Sequence, residues 1–276
     1  MAPIYKKALV VGATSGIGEA LAAKLAVNGT KVVVVGRRQD RLDAFVAGHA
    51  NEAAAVACDI TKLAEIPEFA RTVLGRHPDI DCVVFSSGIQ RAFDFGKPEA
   101  VDLAILDGEL TTNYTSYVHL TKAFLPHLQS ISSQDGKSAH VVFIGATLGL
   151  VPTLLRTPNY CASKAALHSF VMTLRQQLID AGFSRLRVVE VFPPAVRTEL
   201  HDEKHQPDLV NGGEIGIPLA EFTDQLYAGL EKGTEDYIAV GQGEGWLKDG
   251  GFEAERQRLF HEQHGLLKNL LRKFLK

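Results

Sequence analysis

Apolar runs recur along the chain without the strict alternation of a half-exposed strand. They read "KALVVGA" (7–13), "KVVVVG" (31–36), "AAAVACD" (53–59), "IDCVVFSSG" (80–88), "AHVVFIGA" (139–146), "RLRVVEVFP" (185–193) and "EDYIAVG" (235–241). Between them lie stretches with helical spacing: "GEALAAKLAVNG", "DRLDAFVAGHA", "IPEFARTVLGRHP", the long "AILDGELTTNYTSYVHLTKAFLPHL", a helix through Tyr160 to about Ala181, and one near 218–231. Runs buried on both faces and separated by helices predict parallel strands covered on both sides. The expectation is an α/β protein with a doubly wound parallel sheet of about seven strands in a three-layer α/β/α sandwich. Nothing in the composition marks a linker, so residues 1–276 read as a single domain. The exception to the pattern is 197–217, polar with a proline and a Gly-Gly pair, which predicts a mobile loop or short lid helices.

Composition narrows the function classes. With 276 residues, 46% of them hydrophobic, the chain can bury a large core. A net charge of −3 gives no global argument for nucleic acid or for an anionic membrane. No uninterrupted apolar stretch approaches the roughly 20 residues of a membrane helix, and "MAPIYKKALVVGA" does not read as a signal peptide. Cys58, Cys82 and Cys161 are widely spaced and form no CxxC pair, which argues against a disulfide framework or a zinc site. A reducing, cytoplasmic setting is expected.

The first strand runs into "GATSGIG", with Gly12, Thr14, Ser15, Gly16, Ile17 and Gly18, and a helix opens from it. Small residues there let phosphate approach backbone N–H groups and the positive end of a helix dipole. The spacing is GxxxGxG, and the alternative is a turn made small only for strand–helix packing. The second strand ends at Gly36, followed by Arg37 and Arg38. An acid at that strand end commonly holds an unmodified ribose, whereas a 2′-phosphate needs positive charge, so the arginines favour NADP(H) unless they are simply solvated at a helix start. Asp59, with Ile60 beside it, follows the third strand, where it can meet an adenine amino group. Ser87 and Gly88 end the fourth, and the glycine lets backbone pass beneath a cofactor.

"NYCASKAAL" (159–167) sets Tyr160 and Lys164 one helical turn apart, on one face. A phenol, with a pKa of about 10, is a poor acid at neutral pH, but a nearby ammonium favours its ionised form. The spacing alone is common in helices. Together with the glycine turn it resembles the short-chain dehydrogenase/reductase family, of the single-domain classical type, over about Lys7–Gly241. That resemblance implies a Rossmann-like fold, a nicotinamide cofactor, and hydride transfer between a carbonyl and an alcohol. In the family the tyrosine is the general acid/base, and the lysine binds the nicotinamide ribose and lowers the tyrosine pKa. An asparagine on the preceding long helix, matched here by Asn113, helps hold a proton-relay water.

The chain departs from the family pattern at three places. "SSG" at 86–88 stands where Asn-Ala-Gly is usual. The substrate-orienting serine is missing from "FIGATLG": one alignment sets Gly145 and Ala146 at its Ser-Ser pair, while counting back thirteen from Tyr160 lands on Thr147, whose hydroxyl can do the same work. "FPPAVRT" (192–198) resembles the family's Pro-Gly-x-x-x-Thr, with Pro194 for glycine. By that match Pro193 turns the chain beside the cofactor, while the Val196 backbone and the Thr198 hydroxyl approach the nicotinamide carboxamide.

The reading is an NADPH-dependent reductase of a ketone or aldehyde, reversible as an alcohol dehydrogenase. An epimerase or dehydratase on the same fold, and a non-catalytic dinucleotide-binding regulatory protein, are the alternatives. Leu148, Leu150, Leu154, Leu155 and 197–217 are expected to shape a moderately apolar pocket for this small-molecule carbonyl or alcohol substrate. The ten histidines form no HExxH pattern, so no metal is expected; His201 and His205 read as a solvated lid. Trp246 and Phe252 read as a C-terminal packing segment. A homodimer or homotetramer is expected through the helices of Asn113 and Tyr160, with Val118, Phe124, Leu125, Phe170, Leu174 and Leu178 at the interface. The tail 265–276 has apolar Leu266, Leu267, Leu270, Leu271, Phe274 and Leu275 opposite Lys268, Arg272, Lys273 and Lys276. This amphipathic helix packs on protein or touches an anionic membrane.

Overall fold

The computed structural model describes residues 3–272 and 274. Its strands are β1 (Lys7–Val11), β2 (Lys31–Gly36), β3 (Ala53–Ala57), β4 (Cys82–Phe85), β5 (Ala139–Ile144), β6 (Leu186–Phe192) and β7 (Tyr237–Ala239). The helices are α1 (Gly16–Val27), α2 (Gln39–Gly48), α3 (Ile66–Arg76), α4 (Leu103–Leu110), α5 (Ser116–Ser132), α6 (Pro158–Asp180), α7 (Leu219–Lys232), α8 (Gly243–Leu247) and α9 (Phe252–Leu271).

The strands form one sheet in the order β3-β2-β1-β4-β5-β6-β7, every neighbour parallel. Alternate residues of each strand face opposite layers, which is why the strands carry no polar face. Ala8 and Val10 point to Leu21, Leu25, Phe222 and Leu226 of α1 and α7, while Leu9 and Val11 point to the α3, α5 and α6 layer. Burying side chains of this size contributes roughly 1.5–3 kcal/mol each. The expected Rossmann-like α/β/α fold is what forms.

The second layer absorbs residues expected at a subunit interface. Phe124 packs edge-on against Phe69 at 6.0 Å, and Leu174 and Leu178 lie in the same core. These three face the chain's own sheet and α3, not a partner. Val118, Leu125 and Phe170 stay half-buried.

The expected long helix is interrupted. Between α4 and α5, Thr111–Thr115 widens into a π turn centred on Asn113. Such widened turns recur at functional sites.

The segment 197–217 is a strap pinned at its base. Arg197 N donates to Ile217 O and Ile217 N to Ala195 O, both at 3.0 Å, and Val196 bridges Ile217 in parallel. It carries short 3₁₀ turns at Glu199–His201 and Gly212–Glu214. The C-terminal helix starts well before residue 265. Lys268 and His264 both reach Asp180, at 2.9 and 3.2 Å, which holds α9 along the end of α6. Leu266, Leu267, Leu270, Leu271 and Phe274 are exposed, as is Phe252, and Trp246 is partly covered. Lys273, Leu275 and Lys276 of the expected amphipathic face lie outside the described residues. Among the described residues no helix is long and apolar enough to cross a membrane.

Candidate active site

Where strand order reverses between β1 and β4, the carboxyl ends of the strands open into a cavity of about 740 Å³. Open α/β sheets bind ligands at this switch point. All the predicted catalytic and cofactor-binding residues line it except Gly18 and Asn113.

At one end is the glycine turn. Gly12 has φ +88°, and a Cβ there would lie 2.5 Å from Ser87 N. Gly18 is needed for packing: its Cβ would meet Gly12 O at 2.2 Å. The turn is therefore tight for packing, and it also lines the cavity through Gly12, Thr14, Ser15, Gly16 and Ile17. Arg37 is exposed at the rim. Arg38 folds back onto the turn, donating to Thr14 O at 2.9 Å and to Ser15 Oγ at 2.6 Å. Asp59 accepts from Thr61 N and Oγ1 at 3.0 and 2.7 Å. Burial alone would raise its carboxyl, but the Thr61 hydrogen bonds and the Arg37 charge hold it below the ordinary range. Ile60, Ser87 and Gly88 complete this end, and Ser87 O accepts from the Tyr117 hydroxyl.

At the other end α6 brings up Tyr160 and Lys164, both buried. Lys164 Nζ donates to Ile144 O at 2.8 Å and sits 5.7 Å from the centre of the Tyr160 ring. Burial depresses the Lys164 ammonium to about 8, opposed by the charge of Glu190. Burial also pushes the Tyr160 phenol up, with smaller contributions from Cys161 and Glu109. The expected lowering of the tyrosine by its lysine is therefore not what this geometry yields. Desolvation outweighs an ammonium whose hydrogen bond goes to a carbonyl.

Thr147 is buried and opens the short 3₁₀ turn Thr147–Gly149. Its Oγ1 donates to Pro193 O at 3.3 Å, and both residues line the cavity. Ala146 also lines the cavity, so of the two aligned positions only Thr147 offers a hydroxyl. Pro193, Val196 and Thr198 form the wall beyond β6. Asn113 is fully buried: its Oδ1 accepts from Ile89 N at 2.9 Å, and its Nδ2 donates to Ile89 O at 2.9 Å and Ser163 Oγ at 3.1 Å. It ties the loop after β4 to α6, and its neighbour Thr112 faces the cavity instead.

Of the four leucines expected at the pocket, Leu148 and Leu154 line it. Leu150 is buried elsewhere and Leu155 points outward, 85% exposed. Several polar residues of the site escaped the sequence. Glu109, buried behind Tyr160, accepts from Asn159 Nδ2 at 2.6 Å and Arg91 N at 2.8 Å, and burial raises its carboxyl. Arg156 ties the cavity wall to Gln206 and Asp208 of the strap. His205 pairs with Asp202 at 2.6 Å, and among the described residues no His/Cys/Asp/Glu group is arranged for a metal.

The donor set fits a dinucleotide. Small residues and backbone form the glycine turn, cations and two carboxylates, Asp59 and Glu199, stand beside it, and a phenol, a hydroxyl and an ammonium stand at the α6 end. The short chain dehydrogenase family model matches residues 6–208. Over 258 residues the chain is 31% identical to the uncharacterized oxidoreductase DltE of Bacillus subtilis, covering 93% of this chain and 95% of that one. A short chain dehydrogenase from Burkholderia cenocepacia in complex with NADP superposes with a TM-score of 0.73 at 25% identity, covering 95% of this chain and 98% of that one. One from Burkholderia phymatum in complex with NAD reaches 0.76 at 20% identity, with 97% of each chain covered, a likeness of fold alone.

Proposed function

The chain belongs to the short-chain dehydrogenase family of oxidoreductases, and on that premise we propose that it is an NADPH-dependent reductase of ketones or aldehydes. When bound, the nicotinamide supplies the hydride. Tyr160 donates its proton to the substrate oxygen as negative charge develops there. Thr147 holds that oxygen by a hydrogen bond. Lys164, whose Nζ sits 5.7 Å from the centre of the Tyr160 ring, offsets part of the cost of ionising Tyr160 and would hold the ribose. Asn113 is a positioning residue for α6. The supporting observation is that one cavity gathers Tyr160, Lys164 and Thr147 at the end opposite the glycine turn.

Arg37 supports the choice of NADPH, being exposed at the rim with no acid at position 36 to repel a phosphate. Titration at fixed ionic strength should give NADPH about tenfold tighter binding than NADH. Arg37→Ala should remove that preference while leaving NADH within twofold. Equal affinities in the wild type would refute the assignment.

The rate should also report Lys164. Its ammonium is charged below about 8 and neutral above, so kcat/KM for carbonyl reduction should be level below that pH and fall above it. The limb is not unfolding caused by this group. A base depressed on folding binds fewer protons in the folded state between about 8 and its ordinary 10.5, so its contribution to stability rises with pH there. A rate still level at pH 9.5, with the thermal midpoint unchanged, would remove the assignment to Lys164.

A further inference from the structure

Glu199 belongs to the strap, one residue beyond Thr198, yet its carboxylate lies at the nucleotide end of the cavity. Arg38 Nη1 donates to Glu199 Oε2 at 2.7 Å, and Arg41 Nη2 approaches Oε1 at 3.9 Å. The remaining edges of the Arg38 guanidinium are held by Thr14 and Ser15. The one direction in which this fork faces a movable partner is therefore the direction Glu199 fills. Burial would raise the Glu199 carboxyl, but the hydrogen bond and charge of Arg38, with Ser15 and Arg41, hold it below its ordinary range. It is an anion at neutral pH.

A guanidinium fork receives a carboxylate and a phosphate through the same pair of oxygens. Both partners here are about one-third exposed, at 36% and 33%, so the pair can be exchanged from solvent. Arg37, by contrast, stands exposed on the same rim. We infer that Glu199 is a specificity-determining residue: its carboxylate takes Arg38 Nη1, the nitrogen that the glycine turn leaves open, so that a ribose 2′-phosphate must displace it whereas a ribose 2′-hydroxyl need not. The inference rests on the dinucleotide reading of the cavity. It makes the two cofactors unequal in a second way. NADP(H) would free the strap near residue 199 from the glycine turn, while NAD(H) would leave it fastened there. The strap would stay pinned at Val196–Ile217 in both cases.

The test is a binding titration of NADPH and NADH to wild type, Glu199→Gln and Glu199→Ala at fixed ionic strength, with thermal midpoints as the folding control. Glu199→Gln keeps the shape and removes the charge. It should tighten NADPH by about five- to tenfold and leave NADH within twofold. Glu199→Ala should move the ratio in the same direction, separating lost charge from any hydrogen bond made by glutamine. In the wild type, hydrogen exchange across 199–206 should be faster with NADPH bound than with NADH bound. An NADPH/NADH affinity ratio that is unchanged, or shifted toward NADH, in both variants overturns the inference. If neither dinucleotide binds the wild type, the reading of the cavity beneath it is overturned.

Discussion

Tyr160→Phe should lower kcat for carbonyl reduction by about 10³-fold while leaving NADPH affinity within about twofold, since a positioned proton donor contributes roughly 10²–10⁴-fold. Each decade corresponds to about 1.4 kcal/mol of barrier, so the expected loss is on the order of 4 kcal/mol. The other groups nearby are poor substitutes. The Cys161 thiol is raised by burial, the His201 imidazole is lowered by burial, and the Lys164 ammonium is turned toward Ile144 O. Phenylalanine keeps the ring and its packing, so the thermal midpoint should hardly move. The measurement is single-turnover reduction of an active ketone with NADPH at saturating cofactor. Turnover at the wild-type rate would remove Tyr160 from the acid's role. A loss of NADPH binding equal to the loss of rate would make it a binding residue instead.

Much of that site was legible because its chemistry is local in sequence. The glycine turn lies within seven residues, Tyr160 and Lys164 within one helical turn, and the strands that carry them to one edge are valine-rich runs buried on both faces. What escaped was partnership across the fold. Arg38 was readable as a cation beside the glycine turn, but its partner Glu199 is 161 residues away on a segment with no pattern of its own. Glu109 lies in the last turn of α4, where an acid ordinarily reads as a solvated face, and only the fold shows it enclosed by Asn159 and the backbone of Arg91. The inward packing of Phe124, Leu174 and Leu178 escaped for a different reason. Periodicity gives the width of an apolar stripe, but α3 and the breadth of the sheet decide how much of that stripe is covered from within.

Helix boundaries erred where propensity and pairing disagree. The π turn at Asn113 adds a residue to one turn without disturbing the apolar spacing on either side. For α9, Gly265 costs about 1 kcal/mol in a helix interior. The helix nevertheless runs from Phe252, supported by Arg258 pairing with Glu255 and Glu262 at 2.7 and 2.9 Å and by the docking of Lys268 and His264 on Asp180.

The first turn of α9 is also where the largest stability effect is expected. His168, one turn beyond Lys164 on α6, is fully enclosed between two buried carboxylates: Glu190 Oε2 of β6 at 2.7 Å from Nδ1 and Glu253 Oε1 of α9 at 3.0 Å from Nε2. Arg256 stands at 3.0 Å from the other Glu253 oxygen, Arg175 adds a positive field at Glu190, and Phe192 and Tyr237 close the sides. Burial raises both acids, Glu253 to about 7. His168→Leu leaves these acids facing each other without the ring between them, so it should cost about 3–5 kcal/mol. Adding Glu253→Gln should return a large part of that loss, because the second change removes an uncompensated charge. The pH dependence follows from the sign of the Glu253 shift. An acid raised on folding binds more protons in the folded state, so its contribution is full below its ordinary 4.5 and is lost as pH rises through about 7. The Glu253 contribution to wild-type stability should therefore be smaller at pH 8 than at pH 5.5. Denaturant unfolding of the wild type and both variants at the two pH values checks this. A loss below 1 kcal/mol for His168→Leu, or no recovery on adding Glu253→Gln, would mean that α9 is not fastened to the sheet through this histidine.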